Sequence, residues 1–387
     1  LLAGRMIQAA GAATMSPLLM NVMLISFPVE KRGTAMGIFG LVMVLAPAIG
    51  PPLSGWIVEH YDWSVLFKMI LPFAILALLL AVWKLDNVLP NREAKIDIFS
   101  LVLSTIGFGG ILYGFSTASA AGWTAIEVWG TIAIGAVGII WFVIRQFQLE
   151  EPLLNLRIFT YPAYALASVV SMVLSVAMFS GMILTPAYVQ NIRGIEPFEA
   201  GLMMLPGAIV MGIMSPITGK LFDKFGPRVL AMTGLAIATI GTIGLGYLTL
   251  DSTYTFIITM YTIRMFGISM VMMPIMTNGL NALPNRLNPH GTAMNNTAQQ
   301  VAGAIGTAVL VTIFNAHTKT RAAEIVADMQ ANAVPGAAQP TGEQLAQLEQ
   351  QIMQQAMLDG ITYSFFVAAG ITVLAFILAA FMKRVDI

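Results

Sequence analysis

Residues 31–60 read KRGTAMGIFGLVMVLAPAIGPPLSGWIVEH, two cations followed by an apolar run long enough to cross a bilayer. Glycines and prolines recur along this run, at Gly33, Gly37, Gly40, Pro47, Gly50, Pro51, Pro52 and Gly55. In water these residues would break a helix, but in lipid the helix persists because unpaired backbone groups are costly there. Glycines on a membrane helix also let a second backbone approach closely. The segment predicts either a tightly packed, kinked span or a helix at the pivot between two bundles.

The composition of the whole chain indicates an all-α, polytopic membrane protein. Hydrophobic residues make up 57% of the sequence and charged residues only 10%, whereas an ordinary globular chain carries about 25% charged residues. With no cysteine and three scattered histidines, no metal site is expected, and no cofactor. A formal net charge of zero and the lack of a basic tract make nucleic acid an unexpected partner. Since catalytic and nucleotide-binding motifs are missing as well, we do not expect an enzyme.

Hydrophobic segments of about 20 residues predict eleven membrane spans in this chain. They fall near residues 1–26, 35–58, 65–83, 98–117, 126–147, 162–187, 199–221, 229–249, 254–277, 292–315 and 361–382. One set of alternate loops carries thirteen lysines and arginines, and the other carries only Arg193, Lys319 and Arg321. By the positive-inside rule the first set is cytoplasmic, so we expect a multi-pass protein of the plasma membrane with its C-terminus inside.

An internal repeat divides the chain into related halves. Arg5-Met6, Gly33-Thr34-Ala35-Met36 and Ala48-Ile49-Gly50 recur 259, 258 and 256 residues later, the last two as GTAM at 291–294 and AIG at 304–306. Three spans precede the repeat in the second half and none in the first, so we expect a fragment that lacks three of fourteen spans. The predicted organisation is residues 1–83 as the end of an N-terminal six-span bundle, 84–150 as an inserted two-span hairpin, and 151–387 as a C-terminal six-span bundle with an external loop at 316–360.

Arg5 is the first candidate functional residue, because a cation within a span is costly and faces either the bundle interior or the headgroups. Gln8 follows one turn later on the same side. We interpret the pair as a proton-coupling site; the alternative is an arginine that snorkels to the membrane surface. Arg264, its partner in the repeat, lacks the glutamine and is a weaker candidate for lining a pathway.

A charged turn follows the seventh predicted span, with the sequence GKLFDKFGPR at residues 219–228. Gly219 is expected to end one helix, and Gly226-Pro227 to reverse the chain. Asp223 can pair with Arg228 or cap the next helix, which with Lys224 would form a cytoplasmic gate. An ordinary charged turn is the alternative.

Amide side chains at Asn278, Asn295 and Gln299 place polar groups in or beside two later spans. Such groups either line a transport pathway or hydrogen-bond helices together, and both interpretations are open.

With these residues in view, the chain resembles the fourteen-span drug/proton antiporters of the major facilitator superfamily, the EmrB/QacA type. LLAGRMIQAAGAATMSP is similar to that family's fourth-span motif, and GKLFDKFGPR to its loop between helices two and three of a bundle. The segment GPPLSG, with Gly50, Pro51 and Gly55, looks like the antiporter motif of the fifth span. The chain departs from these patterns at Ala9 and Ser54, which replace glycines with other small residues.

The resemblance implies a major facilitator fold of two six-helix bundles plus a two-helix insert. It implies proton-driven efflux of amphipathic or cationic drugs, in the manner of multidrug or lincomycin-resistance exporters, with the bilayer, drugs and protons as partners and a periplasmic adaptor undetermined. Arg5 would couple protonation to conformation, and Gly50 to Gly55 would seal the outer halves of the bundles. Two alternatives are a symporter or facilitator of the same fold and a membrane sensor or scaffold that transports nothing.

Overall fold

The computed structural model describes residues 2–26, 49–50, 52–84, 97–331 and 342–384, and all regular structure in these ranges is helical. The long helices are α1 (Leu2–Ser26), α2 (52–60), α3 (Val65–Lys84), α4 (Ile98–Ala121), α5 (Ile126–Gln148), α6 (Pro162–Ala187), α7 (Pro197–Gly246), α8 (Tyr254–Asn281), α9 (Asn288–Ala331) and α10 (Gly342–Ala379). Short helical turns lie at Leu156–Thr160, Tyr188–Ile192 and Asn285–Leu287.

Nine segments of the described chain are long and apolar enough to cross a membrane, which confirms the predicted all-α, polytopic architecture. They coincide with nine of the eleven predicted spans, and α7 supplies two of them, Pro197–Phe222 and Lys224–Gly246. The first predicted span is also helical, as α1, whereas the second lies mostly outside the described residues. Large apolar side chains on α3, α4 and α5 are exposed, as lipid-facing residues are.

The turns divide the molecule into two ends. We call the end with Gly122, Gly194 and residues 247–253 the Gly194 end, and the end with Gly226, residues 282–288 and Lys383 the Gly226 end. Gly122, Gly194 and Gly226 all have positive φ angles, of 83°, 64° and 75°, which suit glycine in a chain reversal.

The core of the C-terminal part lies among α6, α7, α8 and α10. Its fully buried side chains include Val170, Leu235, Ile268, Val271 and Ile275. A second apolar cluster, with Tyr188, Leu245, Ile257 and Phe365, lies toward the Gly194 end. Because lipid tails are as apolar as these side chains, close packing rather than hydrophobicity has to hold the helices together.

Glycines bring two pairs of helices into backbone contact. A Cβ atom added to Gly234 of α7 would lie 2.6 Å from the carbonyl oxygen of Gly267 in α8. In the predicted hairpin, a Cβ on Gly110 of α4 would lie 2.9 Å from the Cα of Gly135 in α5. Only glycine permits such approaches, so these positions set the spacing of the helices.

The α4–α5 hairpin is closed at the Gly226 end by an ion pair, in which Arg145 Nε donates to Asp97 Oδ2 at 2.7 Å. Hydrogen bonds from Arg145 and Ser100 hold the pKa of Asp97 well below its ordinary value. At the Gly194 end, Trp123 Nε1 donates to Thr312 Oγ1 of α9 at 2.9 Å. The hairpin therefore has a direct side-chain bond to the C-terminal helices.

Helices α9 and α10 continue well beyond the length a bilayer needs. At 1.5 Å per residue, the 44 residues of α9 span roughly 66 Å, about twice the thickness of a hydrocarbon core. Residues 316–331 and 342–360 lie in the segment expected as an external loop and extend these two helices. The capping-box pattern at 341–344, followed by Leu345, Leu348 and Ile352 on one helical face, indicates the helix in the second part of this segment. Arg321 bonds Asp359 at 2.8 Å and His317 stacks on Tyr363 with ring centroids 4.2 Å apart, so side-chain contacts pair the extensions.

Candidate functional site

Arg5 and Gln8 lie on the same face of α1. Arg5 Nη1 donates a hydrogen bond to Gln8 Oε1 at 3.0 Å, and its Cζ atom lies 5.8 Å from the ring centroid of Phe67 in α3. Both polar side chains are exposed in the described structure. A guanidinium held in this way by one amide and one ring keeps most of its donors free for an acidic group or a ligand.

The segment that resembles the antiporter motif meets the second half of the chain at Gly55. A Cβ atom on Gly55 would lie 2.8 Å from Pro197 C, 2.8 Å from Phe198 N and 2.9 Å from Pro197 O. These are backbone atoms at the start of α7, so α2 and α7 touch with no side chain between them. Among the described residues, no atom lies within 4 Å of a Cβ added to Gly50, and Pro51 lies outside them.

Acidic side chains gather beside this contact, at the Gly194 end. Glu59 of α2 lies beside the carboxyl group of Glu196, which precedes α7, and Glu199 is near enough to act on its charge. A hydrogen bond that a protonated Glu59 would share with Glu196 raises the pKa of Glu59; desolvation and repulsion from Glu196 and Glu199 act the same way, while the charge of His60 opposes them. We call Glu59, His60, Glu196 and Glu199 the Glu59 cluster.

Neither Glu59 nor Glu196 stands out in the sequence, because both lie at the ends of predicted spans, where acidic residues are common. The only local signal was the position of Glu59 four residues after Gly55.

The predicted gating turn is only partly as expected. Gly226 breaks the helical geometry with φ 75° and ψ 172°, as the Gly-Pro sequence predicts. The expectation that Gly219 ends a helix is wrong: α7 continues through Gly219 to Gly226, since the residues after it keep helical geometry. Lys224 lies over the Phe225 ring at 5.2 Å, and Arg228 is exposed. The side chain of Asp223 lies outside the described structure, so its pairing stays a prediction.

Arg264 is enclosed among α6, α7 and α8, with 1% of its surface exposed. Its Nε donates to Thr242 Oγ1 at 3.2 Å, and its Nη2 donates to the carbonyl oxygen of Ala177 and more weakly to Ser180 Oγ at 3.4 Å. Nη1 has no partner among the described residues. Every recorded hydrogen-bond partner of this buried cation is therefore neutral.

Glycine makes room for this side chain. A Cβ atom on Gly181 of α6 would overlap the guanidinium of Arg264, and one on Gly241 of α7 would lie 2.7 Å from the Arg264 backbone nitrogen. The internal repeat marks Arg264 as a candidate, but no pattern in the sequence marks Gly181 and Gly241, whose lack of a side chain makes room for it.

The three amide candidates lie inside the C-terminal part of the chain. Asn278 is 1% exposed, and its Nδ2 donates to the carbonyl oxygen of Lys383 at 3.1 Å. Asn295 is 4% exposed and its Nδ2 has no partner within the described ranges. Gln299, one turn later on α9, is half-buried. In this arrangement Asn278 joins helix ends, whereas the Asn295 amide keeps an unused donor.

Comparison with known proteins agrees with this architecture. Residues 1–307 match the Major Facilitator Superfamily. The chain is 46% identical over 335 residues to a Bacillus subtilis protein named Uncharacterized MFS-type transporter YhcA. The aligned region covers 87% of this chain and 63% of YhcA. It is also 42% identical over 389 residues to Lincomycin resistance protein LmrB of Bacillus subtilis, and this aligned region covers 100% of this chain and 77% of LmrB.

A solved structure shares the fold. It is a bacterial homologue of the human lysosomal transporter Spinster, in an inward-facing and occupied conformation, with a TM-score of 0.53 at 15% sequence identity. The match covers 95% of this chain and 74% of the Spinster homologue. The chain likewise spans only 63% of the length of YhcA. The helical architecture, the family match and the relatives together show that this chain belongs to the Major Facilitator Superfamily.

Proposed function

We propose that this chain belongs to a fourteen-span drug/proton antiporter of the EmrB/QacA type, of which it holds eleven spans. The protein exports amphipathic or cationic drugs across the plasma membrane by alternating access, driven by inward proton flow. Support comes from the internal repeat, from the fifth-span motif, and from a relative named for lincomycin resistance.

The contact between Gly55 and the start of α7 is the observation that carries this proposal. The motif glycine lies where a helix of the first half meets a helix of the second, and it brings their backbones together. Such a contact leaves no gap between the two backbones at this point, and in this proposal it forms part of a seal against proton leak. An antiporter needs this seal, because protons must cross only in exchange for drug.

The remaining residues take roles on either side of the seal. The loop charges make the Gly226 end cytoplasmic and the Gly194 end external. Arg5, with its bond to Gln8, couples protonation of an acid to the movement of the bundles. Asp223, Lys224 and Arg228 gate the cytoplasmic end.

The polar residues of the second half contribute the pathway. Arg264, Asn278, Asn295 and Gln299 lie on α8 and α9, and the unused donors of Arg264 and Asn295 are the groups available to a passing ligand when the bundles part. A buried cation with neutral partners also favours an anionic or electron-rich group nearby.

The test uses the full-length protein in inside-out vesicles energised by respiration, with a fluorescent dye that reports internal pH. Cationic drugs and lincosamides are expected to evoke proton release, and Arg5→Ala is expected to abolish it while the protein stays folded. Arg286→Ala, which removes an exposed cation from the turn before α9, is the matched control and should keep the response. If no compound evokes proton release from folded protein, the antiporter proposal is wrong.

A further inference from the structure

A cleft opens beside the Gly55 contact, between helices of the two halves. It has a volume of about 390 Å³, which is within the range of about 300–1,000 Å³ typical of sites for drug-sized ligands. Its walls are mainly apolar and come from α2, α6 and α7 with the start of α3; they include Val58, Leu66, Pro186, Ala200 and Met204. Ser54 and Gln190 add polar side chains.

The acidic residues of the Glu59 cluster are exposed and adjacent in sequence to residues that line this cleft. Glu59 follows the lining residue Val58, Glu196 precedes the lining residue Pro197, and Glu199 precedes the lining residue Ala200. Glu59 comes from α2 and Glu196 immediately precedes α7, and their carboxyl groups are close enough to act on each other. An apolar cleft therefore has up to three carboxylates at its edge.

Arg193, on the adjoining turn, is directed away from these acids. It donates to the carbonyl oxygen of Leu250 and lies over the ring of Tyr254, with its Cζ atom 5.6 Å from the centroid. Within the described ranges, no ion pair joins Glu59, Glu196 or Glu199 to a cation.

We propose that this cleft is an external binding site for lipophilic monocations, occupied by the drug after the central pathway and before its release. The inference rests on the proposed export function and adds to it a second site for the same substrate class. Charge complementarity selects the occupant: apolar walls favour a bulky hydrocarbon body, and carboxylates beside the cleft favour a positive charge. Met204 is a flexible, polarizable side chain that suits ligands of different shape.

Two other occupants fit the cleft less well. A neutral lipid chain would leave the acids repelling one another, with no charge to offset them. A metal ion would need converging ligands, and the described ranges hold no group of three or more His, Cys, Asp or Glu side chains placed to bind one. A large organic cation satisfies both the walls and the edge.

These 387 residues contain no cysteine, so a single introduced thiol can be labelled in a full-length protein from which any other cysteine has been removed. Val58→Cys places a single thiol in the cleft, where the parent side chain is 53% exposed. We expect a positively charged methanethiosulfonate to react about tenfold faster than a neutral one of similar size, because the carboxylates concentrate cations. Thr124→Cys, on the α4–α5 turn at the same end, is the control site for reagent and membrane effects.

Occupancy is measured by protection, which needs no acidic-residue variant. Tetraphenylphosphonium should slow modification of Val58→Cys and leave Thr124→Cys unchanged, and the neutral triphenylphosphine oxide should protect far less. Glu199→Gln should weaken the protection, and Glu199→Lys should reverse the preference between cationic and anionic reagents. Equal protection by the neutral compound would overturn the proposal in favour of a lipid or detergent site.

The same membranes separate this inference from the export function. Drug-evoked proton release without protection of Val58→Cys would overturn the external site and leave the antiporter standing. Protection without proton release would support the site while contradicting the antiporter.

Discussion

Gly55→Ala tests whether the two halves seal where α2 meets α7. The added methyl group would lie 2.8–2.9 Å from three backbone atoms of Pro197 and Phe198, whereas ordinary van der Waals contact begins near 3.4 Å. Backbone atoms cannot rotate away as a side chain can, so the helices must separate by about half an ångström or more. Overpacking of this kind costs about 1–3 kcal/mol.

The penalty applies only while the two helices touch. In an arrangement with α2 and α7 apart, the methyl group meets no backbone, so the substitution lowers the ratio of closed to open protein. A penalty of about 1–3 kcal/mol corresponds to a change of roughly 5- to 150-fold in that ratio. We therefore expect a clear shift toward the externally open arrangement and a faster proton leak without drug.

Spin labels measure this shift directly. Tyr61→Cys on the chain after α2 and Leu202→Cys on α7 are exposed positions, at 54% and 44%, so labels there disturb little. Electron–electron resonance should show a short distance in the parent and a larger population of long distances in Gly55→Ala. Gly109→Ala is the control, because a Cβ atom there meets nothing within 4 Å. Identical distance distributions in parent and folded Gly55→Ala would refute the seal.

Arg264→Met removes a buried charge whose partners are neutral, so the melting temperature should stay close to that of the parent while drug-evoked proton release is lost. A large drop in melting temperature would instead assign Arg264 a structural role. Trp123→Phe deletes the hydrogen bond to Thr312 and should lower the free energy of unfolding in detergent by about 0.5–1.5 kcal/mol; unchanged stability would mean that the hairpin docks without this bond. The pKa of Glu59 is raised where α2 contacts α7, so protonation of Glu59 stabilises this contact. The stabilisation of the contact is present below the ordinary glutamate pKa and is lost as pH rises through the raised value. The spin-label distance should therefore lengthen at higher pH, and Glu59→Gln, which imitates the protonated acid, should keep it short at every pH.

Hydrophobicity alone located most of the fold. Within the described ranges, each apolar run of about 20 residues is a helix, because backbone groups in lipid must bond within their own segment. The Gly226-Pro227 reversal was predictable for the same local reason, since only glycine adopts its positive φ easily. Gly219 was misjudged because a glycine inside a membrane helix is common and ends the helix only when the following residues leave helical geometry.

The polar extensions of α9 and α10 show where composition misleads. Their low hydropathy predicted a loop, but polar residues also form helices when neighbouring helices pair. Arg321 with Asp359 and His317 with Tyr363 join residues from α9 and α10, which no local pattern reveals. The partners of Arg264 were hidden for the same reason, because Ala177 and Thr242 come from other helices.

The Glu59 cluster links the two proposals through the sign of its charge. The raised pKa of Glu59 beside Glu196 favours its protonated carboxyl group, whereas a cation in the cleft is held best when Glu59 is ionised. Proton and cation therefore oppose each other at Glu59, with the charge of His60 shifting the balance toward the ionised form. Outside an energised cell the proton concentration is higher than inside, so protonation of Glu59 weakens the hold on the cation at the face where release is needed. The same protonation favours the closed contact between α2 and α7, which seals the external end once the drug has left.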